Sequence, residues 1–554
     1  MSLRVVGIVG EKSTPTEVEI KATHSIPSGT YIYIRFRARD PVRDSEELRE
    51  VVGIVGSTIC RSIVSVFATP NLSRADSDLA NKLENYSSDL KRENYVVAAI
   101  VADITNNSVE LPKYPPPPET PVYLASSEHL RRVYRWESRS GVKVGSLVGF
   151  SDLDVYVNVS ALTKHLLIAG TTGSGKSNLV AVLADRVAQI GGSVVVFDVH
   201  GEYVGLKPES SRVEVVEYGA AINPNEVPVG QLAHMIVQES TAYEQRRLLK
   251  NALSSLASDI REKILEDKLP LREAIKKLYE ESTAREFTKD LSPEGIYKEL
   301  LMEYVSKRAK PLEGTTPSWQ QKARLSARRK EVVDAVLEKV ESFFRWRRVD
   351  LEVPRISDVV KCGRIVVVNA SNLSDEDRDY VLSAIADDVL SSLRARKAPP
   401  TLLVVEEAHI FLGRKRETLS KKALQRFIRE GRKFGGMLAI VSQRPRALDT
   451  DVVSQVQNFA FLRLVQEADR SAVMEVTDVL GDEYSSIFPT LPPGHGIFVG
   501  EWVNWYPAYV RIDLHRGKRV GAAPNVVEVW RGIVDSGRSV AEDIELLERE
   551  SEGA

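Results

Sequence analysis

Short apolar runs alternate with polar turns through roughly the first hundred residues. Several of these runs alternate apolar with polar positions, and they are rich in β-branched and aromatic side chains. They occupy residues 5–10, 17–21, 31–36, 51–55 and 95–103. Short strands at this spacing are typical of a small β-barrel or sandwich. We therefore predict an N-terminal barrel, interrupted at 71–94 by a polar and helical excursion.

A run of prolines follows this region. Tyr114 precedes four consecutive prolines, Pro115 to Pro118. Proline fixes φ and lacks an N–H donor, so this segment must be extended. We interpret it as a rigid connector; a proline-rich ligand for a recognition domain is the alternative.

Beyond residue 146 apolar strands alternate with helical stretches, a pattern that predicts an α/β fold with a parallel sheet. The predicted strands are 166–169, 194–198, 365–369, 402–405, 437–441, 459–464, 496–500 and 508–512. A polar block with helical periodicity separates the second strand from the third. It is too long for a loop, which predicts an inserted helical subdomain at 229–348.

Composition limits the class of protein. A chain of 554 residues should hold more than one domain. Lys+Arg 75 against Asp+Glu 77 leaves a net charge of −2, so any nucleic-acid surface must be local. Cys60 and Cys362 are the only cysteines, which suits a reducing compartment without disulfides or a zinc site. We find no signal peptide and no apolar run near the ~20 residues that span a bilayer, and expect a cytoplasmic protein.

The most informative motif lies between a predicted strand and a predicted helix. It consists of Gly170, Thr171, Thr172, Gly173, Ser174, Gly175, Lys176 and Ser177. This GxxxxGKS pattern lets backbone N–H groups face a polyphosphate at a helix N-terminus. Lys176 would reach the β- and γ-phosphates, and Ser177 would bind Mg²⁺. A glycine-rich turn without a ligand is the alternative.

Two acids end the predicted strand 402–405. Glu406 is placed to hold Mg²⁺ through water, and Glu407 to act as the general base that polarises the attacking water. Gln443 ends the next predicted strand and would contact the γ-phosphate or water. The alternatives are a solvated strand end for the acids and a surface glutamine before the turn at Pro445.

Asp198 ends the strand beside the P-loop strand and could support magnesium or water, although capping of a turn explains it equally well. His200 has no partner for a metal site. The predicted helix 424–432 carries Arg429 and Arg432 one turn apart, on one face. Such a face can supply a guanidinium to a neighbouring subunit's nucleotide; Arg432 is the first choice and Arg429 the second. A solvated basic face is the alternative.

Five motifs in this order resemble the archaeal HerA ATPases of the HerA/FtsK superfamily of P-loop DNA translocases. They read HLLIAGTTGSGKS, FDVHGEY, LLVVEEAHIF, REGRKFGG and VSQRP. The resemblance implies a RecA-like core at 146–228 and 349–515, a barrel of the HAS type with its connector at 1–145, the insertion at 229–348, and a C-terminal extension at 516–554.

The resemblance also implies what the chain does. It implies a homo-hexamer that hydrolyses ATP with Mg²⁺ at subunit interfaces and moves double-stranded DNA through its channel. HerA proteins act with the nuclease NurA in resecting DNA ends for recombinational repair. The family's trans-acting arginine corresponds to Arg432, whereas Lys164 stands where a second basic residue is often arginine. Residues 491–496 resemble a stretch that crosses near the nucleotide in relatives.

Two basic clusters could contact DNA phosphates. The better placed one follows the catalytic acids and comprises Arg414, Lys415, Arg416, Lys421 and Lys422. The second, at 322–330, lies in the helical insertion. Both could instead be solvated faces.

Three other classes of protein remain alternatives. A conjugative or plasmid DNA pump usually carries membrane segments, which we do not find here. A protein-remodelling ATPase presents aromatic and apolar pore loops, whereas the candidate loop here is basic. A nucleotide switch without turnover would not need the adjacent Glu406 and Glu407.

Overall fold

The chain folds into a closed β-barrel followed by a large sheet covered by helices. The computed structural model describes residues 4–40, 45–62, 92–136, 141–239, 241–283, 291–307, 319–415, 417–477, 480 and 482–517. Within these residues, no helix is both long and apolar enough to cross a lipid bilayer.

Six antiparallel strands form the barrel. They are β1 Val5–Ser13, β2 Glu17–Ala22, β3 Tyr31–Asp40, β4 Ser45–Ser62, β5 Arg92–Asp103 and β6 Pro121–Leu124. Their order is β1-β2-β5-β4-β3-β6, and pairing of β6 with β1 closes the barrel. Apolar side chains from alternate positions, such as Val18, Ile20, Ile32 and Ile34, fill the interior.

All five predicted barrel strands are present, whereas β6 was not predicted. The proline run joins β5 to β6 within the barrel, so it does not link the barrel to the rest of the chain. Of the predicted excursion at 71–94, residues 71–91 lie outside the described residues, and residues 92–94 belong to β5.

The second sheet has eleven strands. They are β7 Gly141–Leu147, β8 Phe150–Asn158, β9 Leu166–Ala169, β10 Ser193–Asp198, β11 Glu214–Gly219, β12 Arg364–Asn369, β13 Thr401–Val405, β14 Gly436–Ser442, β15 Asn458–Phe461, β16 His495–Gly500 and β17 Ala508–Ile512. The order is β11-β12-β10-β13-β14-β9-β15-β16-β17-β7-β8. The seven strands from β11 at one edge to β15 are parallel to one another. The remaining strands, β16, β17, β7 and β8, each pair antiparallel with their neighbours.

Every strand predicted for this sheet is present; β9 and β17 have the predicted ends, and in each of the others at least one end differs by one to three residues. The largest shift is in β15, which ends at Phe461 because residues 462–464 turn toward the P-loop. Strand β11 and the hairpin β7–β8 were not predicted. The predicted domain boundary between 145 and 146 lies inside β7, whose residues all pair within this sheet.

Helices cover the sheet and build the insertion. They are α1 Ser127–Tyr134, α2 Lys176–Gln189, α3 Val229–Ile236, α4 Tyr243–Asp267, α5 Leu271–Thr283, α6 Pro293–Lys307, α7 Trp319–Trp346, α8 Ile356–Val359, α9 Asp375–Arg394, α10 Leu419–Gly431, α11 Thr450–Val453, α12 Glu467–Glu475 and α13 Asp482–Ser485. Helices α3 to α7 fall within the predicted insertion. Its two ends meet where Ile222 bridges Val349 and donates its N–H to the Arg348 carbonyl at 2.8 Å.

Tyrosines join the barrel to the large sheet. The Tyr31 and Tyr134 hydroxyls lie 3.1 Å apart, and that of Tyr134 donates to the Pro507 carbonyl at 2.6 Å. The Tyr509 N–H donates to the Tyr31 hydroxyl at 3.0 Å. Because these groups are buried, the contact belongs to the core that the sheet and the outer barrel wall share.

Parallel strands place the motifs together. Strand β14 lies between β9 and β13, so the P-loop and the two acids are separated by the strand that ends before Gln443. Since the strands are parallel, their carboxyl ends meet at one edge of the sheet. All three motifs therefore converge at this edge.

Candidate nucleotide-hydrolysis site

The P-loop has a shape that only small residues permit. Gly173 and Gly175 have φ of +73° and +106°, in the left-handed region that glycine adopts readily. A side chain at Gly170 would meet Ser174 Oγ at 2.6 Å. Ser174 Oγ is itself buried without a hydrogen-bond partner among the described residues. A tight loop with unmatched polar atoms at a helix N-terminus fits a bound polyphosphate.

Lys176 and Ser177 open helix α2. Lys176 is buried, and its ammonium donates to the Thr171 carbonyl at 3.1 Å. Burial lowers the pKa of Lys176, and the nearby Glu407 and Glu406 carboxylates act in the opposite direction. The ammonium therefore already points into the loop, and Ser177 lies in the first helical turn, where its hydroxyl could hold Mg²⁺.

Glu406 is a buried carboxyl group at the end of β13. It accepts a hydrogen bond from the Tyr203 hydroxyl. Burial raises the pKa of Glu406 to about 7, while the Tyr203 hydrogen bond and Lys176 oppose that increase. A carboxyl group with this pKa gains charge readily when a cation approaches, as a magnesium-binding acid requires.

Glu407 is held in a strained backbone conformation. Its φ is +47°, a region that costs a non-glycine residue about 1–3 kcal/mol and is most common at functional sites. Gln443 Nε2 donates to Glu407 Oε1 at 2.5 Å. Gln443 Oε1 accepts from the Thr172 hydroxyl at 2.6 Å. Gln443 therefore connects Glu407, the predicted general base, to Thr172 of the P-loop.

Two histidines also approach Glu407, although the sequence did not identify either as functional. His409 Nδ1 lies 3.2 Å from Glu407 Oε2, and His200 Nε2 lies 3.9 Å from Glu407 Oε1. Burial lowers the pKa of His409, with Glu407 opposing. In the sequence, the only indication of a role for His409 was its position two residues after Glu407. Tyr203 gave none, because its contact with Glu406 arises only from pairing of β10 with β13.

For Asp198 the structure favours the alternative of a turn cap. Its Oδ1 accepts the backbone N–H groups of residues 200, 201 and 202, and its Oδ2 accepts that of Tyr203 at 2.8 Å. Four N–H groups that converge on one carboxylate are typical of a side chain that caps a turn. Asp198 caps the turn that places Tyr203 beside Glu406.

The candidate trans-acting arginines lie at the other edge of the sheet. Helix α10 ends at Gly431, and Arg432 opens a short 3₁₀ turn just before β14. Because β14 has seven residues, Arg432 lies roughly 20 Å from its own P-loop. Arg432 is exposed, and Arg429 donates to Gln425 of its own helix. Neither arginine can reach the nucleotide site of its own chain.

His165 links the P-loop strand to the arginine helix. It precedes β9 with φ of +62°, and Leu438 of β14 donates its N–H to His165 Nδ1 at 3.2 Å. His165 Nε2 lies 2.9 Å from the Ile428 carbonyl of α10. Burial lowers the pKa of His165, and the nearby Arg432 lowers it further. A neutral imidazole that donates from Nε2 satisfies both contacts.

The structure divides the predicted DNA-contacting loop. Arg414, Lys415 and Lys422 are exposed, and Arg416 lies outside the described residues. Lys421 is buried, and its ammonium pairs with Asp449 at 2.8 Å. The prediction that Lys421 contacts DNA is therefore wrong. Its side chain points inward from the first turn of α10 and stabilises the end of the loop through this ion pair.

The other sequence candidates take the following positions. Lys164 pairs with Glu501 and lies over the Trp505 ring. The basic cluster at 322–330 lies in α7, where Arg328 pairs with Glu244 at 3.1 Å; the side chains of 322–327 are not described. Gly494 donates its N–H to the Ser174 carbonyl at 2.9 Å, so the segment 491–496 does cross the P-loop.

The P-loop strand β9, the strand β14 that ends before Gln443 (the sensor strand) and the acid-tipped strand β13 lie side by side in a parallel sheet. This arrangement defines a P-loop ATPase with an additional central strand. Residues 142–389 match the family described as "Helicase HerA, central domain". "DNA double-strand break repair helicase HerA" of Sulfolobus acidocaldarius is 33% identical over 76% of this chain and 78% of its own length. The protein of that name from Sulfurisphaera tokodaii is 29% identical over 95% and 96%. The chain belongs to the HerA helicase family and is an ATP-hydrolysing enzyme of that class.

A solved structure can also be compared. VirB4 of Thermoanaerobacter pseudethanolicus aligns with a TM-score of 0.43 and 18% identity, over 70% of this chain and 98% of that chain. The fold assignment rests on the strand order and the site described above.

Proposed function

We propose that this chain is a DNA-stimulated ATPase that, as a homo-hexamer, drives double-stranded DNA through a central channel. We further propose that it acts with the nuclease NurA in resecting DNA ends for repair. The hydrogen bonds from Thr172 through Gln443 to Glu407 are the observation that carries the proposal. They couple the phosphate-binding loop to the general base, as a motor that must sense hydrolysis requires.

Each residue has a separate role in the proposed reaction. The P-loop amides and Lys176 bind the β- and γ-phosphates of ATP. Ser177 and Glu406 would hold Mg²⁺, which would neutralise phosphate charge when bound. Glu407 accepts a proton from the attacking water, and Gln443 orients that water.

The exposed Arg432 supports the oligomeric part of the proposal. It lies too far from its own P-loop to act there, yet its charge acts on His165, which directly precedes the P-loop strand and contacts Ile428 of α10 and Leu438 of β14. A guanidinium supplied by one subunit to the next would stabilise the charge that develops during phosphoryl transfer.

Steady-state ATP hydrolysis with and without linear duplex DNA tests the ATPase and the DNA dependence together. We expect strong stimulation by DNA in the wild type. The Glu407→Gln variant should lose about 10²-fold or more in turnover while still binding ATP. Glu467→Gln, on an exposed helix start, is the matched control and should keep wild-type turnover. Turnover by Glu407→Gln near the wild-type rate would remove Glu407 as the base.

The loop variant Arg414→Ala/Lys415→Ala/Arg416→Ala tests where DNA binds. We expect stimulation by DNA to disappear while basal hydrolysis remains, because the described part of this loop does not touch the P-loop. Lys421→Met should instead lower the unfolding temperature, since it removes a buried ion pair. Unchanged DNA stimulation in the triple variant would exclude the loop.

A further inference from the structure

The chain beyond β17 crosses the first turns of the P-loop helix. Asn178 Nδ2 donates to the Asp513 carbonyl at 2.8 Å, and the His515 N–H donates to Asn178 Oδ1 at 3.0 Å. Since Asn178 directly follows Ser177 of the P-loop, this tail is fastened beside the phosphate-binding residues. A side chain at Gly517 would overlap the Lys207 carbonyl, so the tail also packs closely on the loop after β10.

These contacts bring three potential metal ligands together. Asp185 of α2, Glu209 of the loop before β11 and His515 of the tail each offer a ligand atom, and these atoms lie within 4.8 Å of one another. His515 Nε2 lies 3.7 Å from Asp185 Oδ2. The side chains of His515 and Asp185 are only 1% and 0% exposed.

Several of the atoms in this cluster are unmatched. Among the described residues, neither ring nitrogen of His515 has a hydrogen-bond partner, and the same holds for Asp185 Oδ1. Leaving a buried polar atom unpaired costs about 1–3 kcal/mol. His515 Nε2, which lies 3.7 Å from Asp185 Oδ2, and the unpaired Asp185 Oδ1 therefore point to a ligand between these two side chains.

The remaining contacts leave the cluster short of positive charge. Asp185 Oδ2 accepts from Gln189 Nε2 at 2.9 Å and from the Glu209 N–H at 3.3 Å. Glu209 Oε2 pairs with Arg186 at 2.8 Å, and its Oε1 accepts the Arg516 N–H at 2.8 Å. One guanidinium thus faces two carboxylates. A buried carboxylate without a counter-charge is costly, so a bound cation would complete the cluster.

We propose that Asp185, Glu209 and His515 bind one divalent cation of the zinc type, at a site separate from that of the nucleotide's Mg²⁺. An imidazole nitrogen with two carboxylate oxygens is a ligand set that suits Zn²⁺ and disfavours Mg²⁺, which prefers oxygen ligands. Ligands at zinc distances in a tetrahedron are ~3.4 Å apart, close to the spacing of His515 and Asp185. The cation fastens the C-terminal tail to the P-loop helix.

Metal analysis of the whole chain without nucleotide tests the proposal. After dialysis against EDTA, addition of Zn²⁺ should restore one bound equivalent per chain and raise the unfolding temperature, whereas Mg²⁺ should do neither. His515→Ala should lose the bound equivalent and the response to Zn²⁺. His24→Ala, which removes an exposed barrel histidine, is the matched control and should keep both.

A second measurement needs no variant. Co²⁺ added to the EDTA-treated wild type should give the visible absorption bands of a low-symmetry nitrogen and oxygen site, and Zn²⁺ should displace them. Absence of bound Zn²⁺, of Co²⁺ bands and of any effect of EDTA would overturn the proposal. The cluster would then be a contact between the tail and the P-loop helix that holds no cation.

Discussion

Glu406 and Glu407 are adjacent in sequence, yet their surroundings control them differently. Burial dominates Glu406 and raises its pKa, whereas a left-handed backbone and the Gln443 amide fix the direction of Glu407. The surroundings of Glu406 therefore set its protonation, whereas those of Glu407 set the direction of its carboxylate. This separation fits one acid that holds a cation and one that takes a proton.

The pKa of Glu406 predicts how Mg²⁺-nucleotide affinity depends on pH. Below about 7 Glu406 is protonated in the free protein, and binding of Mg²⁺ must release that proton. Affinity should therefore fall about tenfold per pH unit below this value and level off above it. Fluorescence titration with Mg²⁺ and a nucleotide analogue between pH 5.5 and about 8 would measure this.

Two variants show whether Glu406 is the group responsible. Tyr203→Phe removes a hydrogen bond that lowers the pKa of Glu406, so the midpoint should move to higher pH. Glu406→Gln should make the affinity weaker and nearly independent of pH. A dependence that persists in Glu406→Gln would assign the proton to another group.

The sequence identified the residues that belong to contiguous motifs, and the structure supplied the others. Lys176, Glu406 and Gln443 follow strands whose apolar runs are unmistakable, so their meeting at one edge could be predicted. Tyr203 and the burial of Lys421 could not, because they depend on distances between segments. Asp198 looked like a catalytic acid because a strand-end carboxylate has the same sequence pattern whether it caps a turn or binds a cation.

At the scale of elements, the important relation is the one between α10 and the P-loop strand. His165 contacts Ile428 of α10 and Leu438 of β14, so the arginine helix, the sensor strand and the P-loop strand share one buried junction. Arg432 stands at this junction and not at the nucleotide edge of its own sheet. The two ends of β14 therefore lie near different groups, with Gln443 and Glu407 at one end and Arg432 at the other.

A mixing experiment tests the trans role of Arg432. Arg432→Ala and Glu407→Gln should each lose most of their hydrolysis when assayed alone. In mixed rings, an intact Arg432 from one subunit can face an intact Glu407 in its neighbour, so part of the activity should return. The readout is ATP turnover against mixing ratio.

The result of this mixing experiment distinguishes Arg432 from Arg429 as the trans-acting arginine. Failure of the mixture to regain activity would argue against a trans role for Arg432, and the same mixture made with Arg429→Ala would then test the second choice. If Arg429→Ala alone keeps wild-type turnover, that arginine has no part in hydrolysis.

Strands at the sheet edges escaped prediction for a physical reason. Strand β11 mixes Glu with Val and Tyr at the edge of the sheet and lacks the continuous apolar run that marks a strand buried on both faces. The hairpin β7–β8 was not predicted, and the predicted boundary between 145 and 146 divides it, because antiparallel strands look alike in sequence whichever sheet they join. Only the pairing of β7 with β17 shows that the hairpin belongs to the large sheet.

At the scale of the whole molecule, the barrel is packed onto the large sheet through a close contact. Gly29 has φ of +83°, and a side chain there would run into the Tyr509 ring. Gly149 has the same φ of +83° in the β7–β8 turn, with nothing within 4 Å of the added carbon. The chain therefore offers two glycines that differ only in their surroundings.

We expect Gly29→Ala to destabilise the protein clearly more than Gly149→Ala. Both should lose about 1–2 kcal/mol through the left-handed backbone, and Gly29→Ala should lose a further ~1–3 kcal/mol through overpacking against Tyr509. Guanidinium denaturation followed by tryptophan fluorescence would measure the difference. Equal losses would show that the barrel can shift away from Tyr509 at little cost.

The antiparallel strands between the P-loop strand and the barrel have a mechanical consequence. From β9 the sheet continues without a gap through β15, β16, β17 and β7 to β8, and Tyr509 of β17 touches the barrel. Force passed from the P-loop strand to the barrel would therefore cross a continuous series of backbone hydrogen-bond ladders, with no loop or linker between neighbouring strands of the sheet.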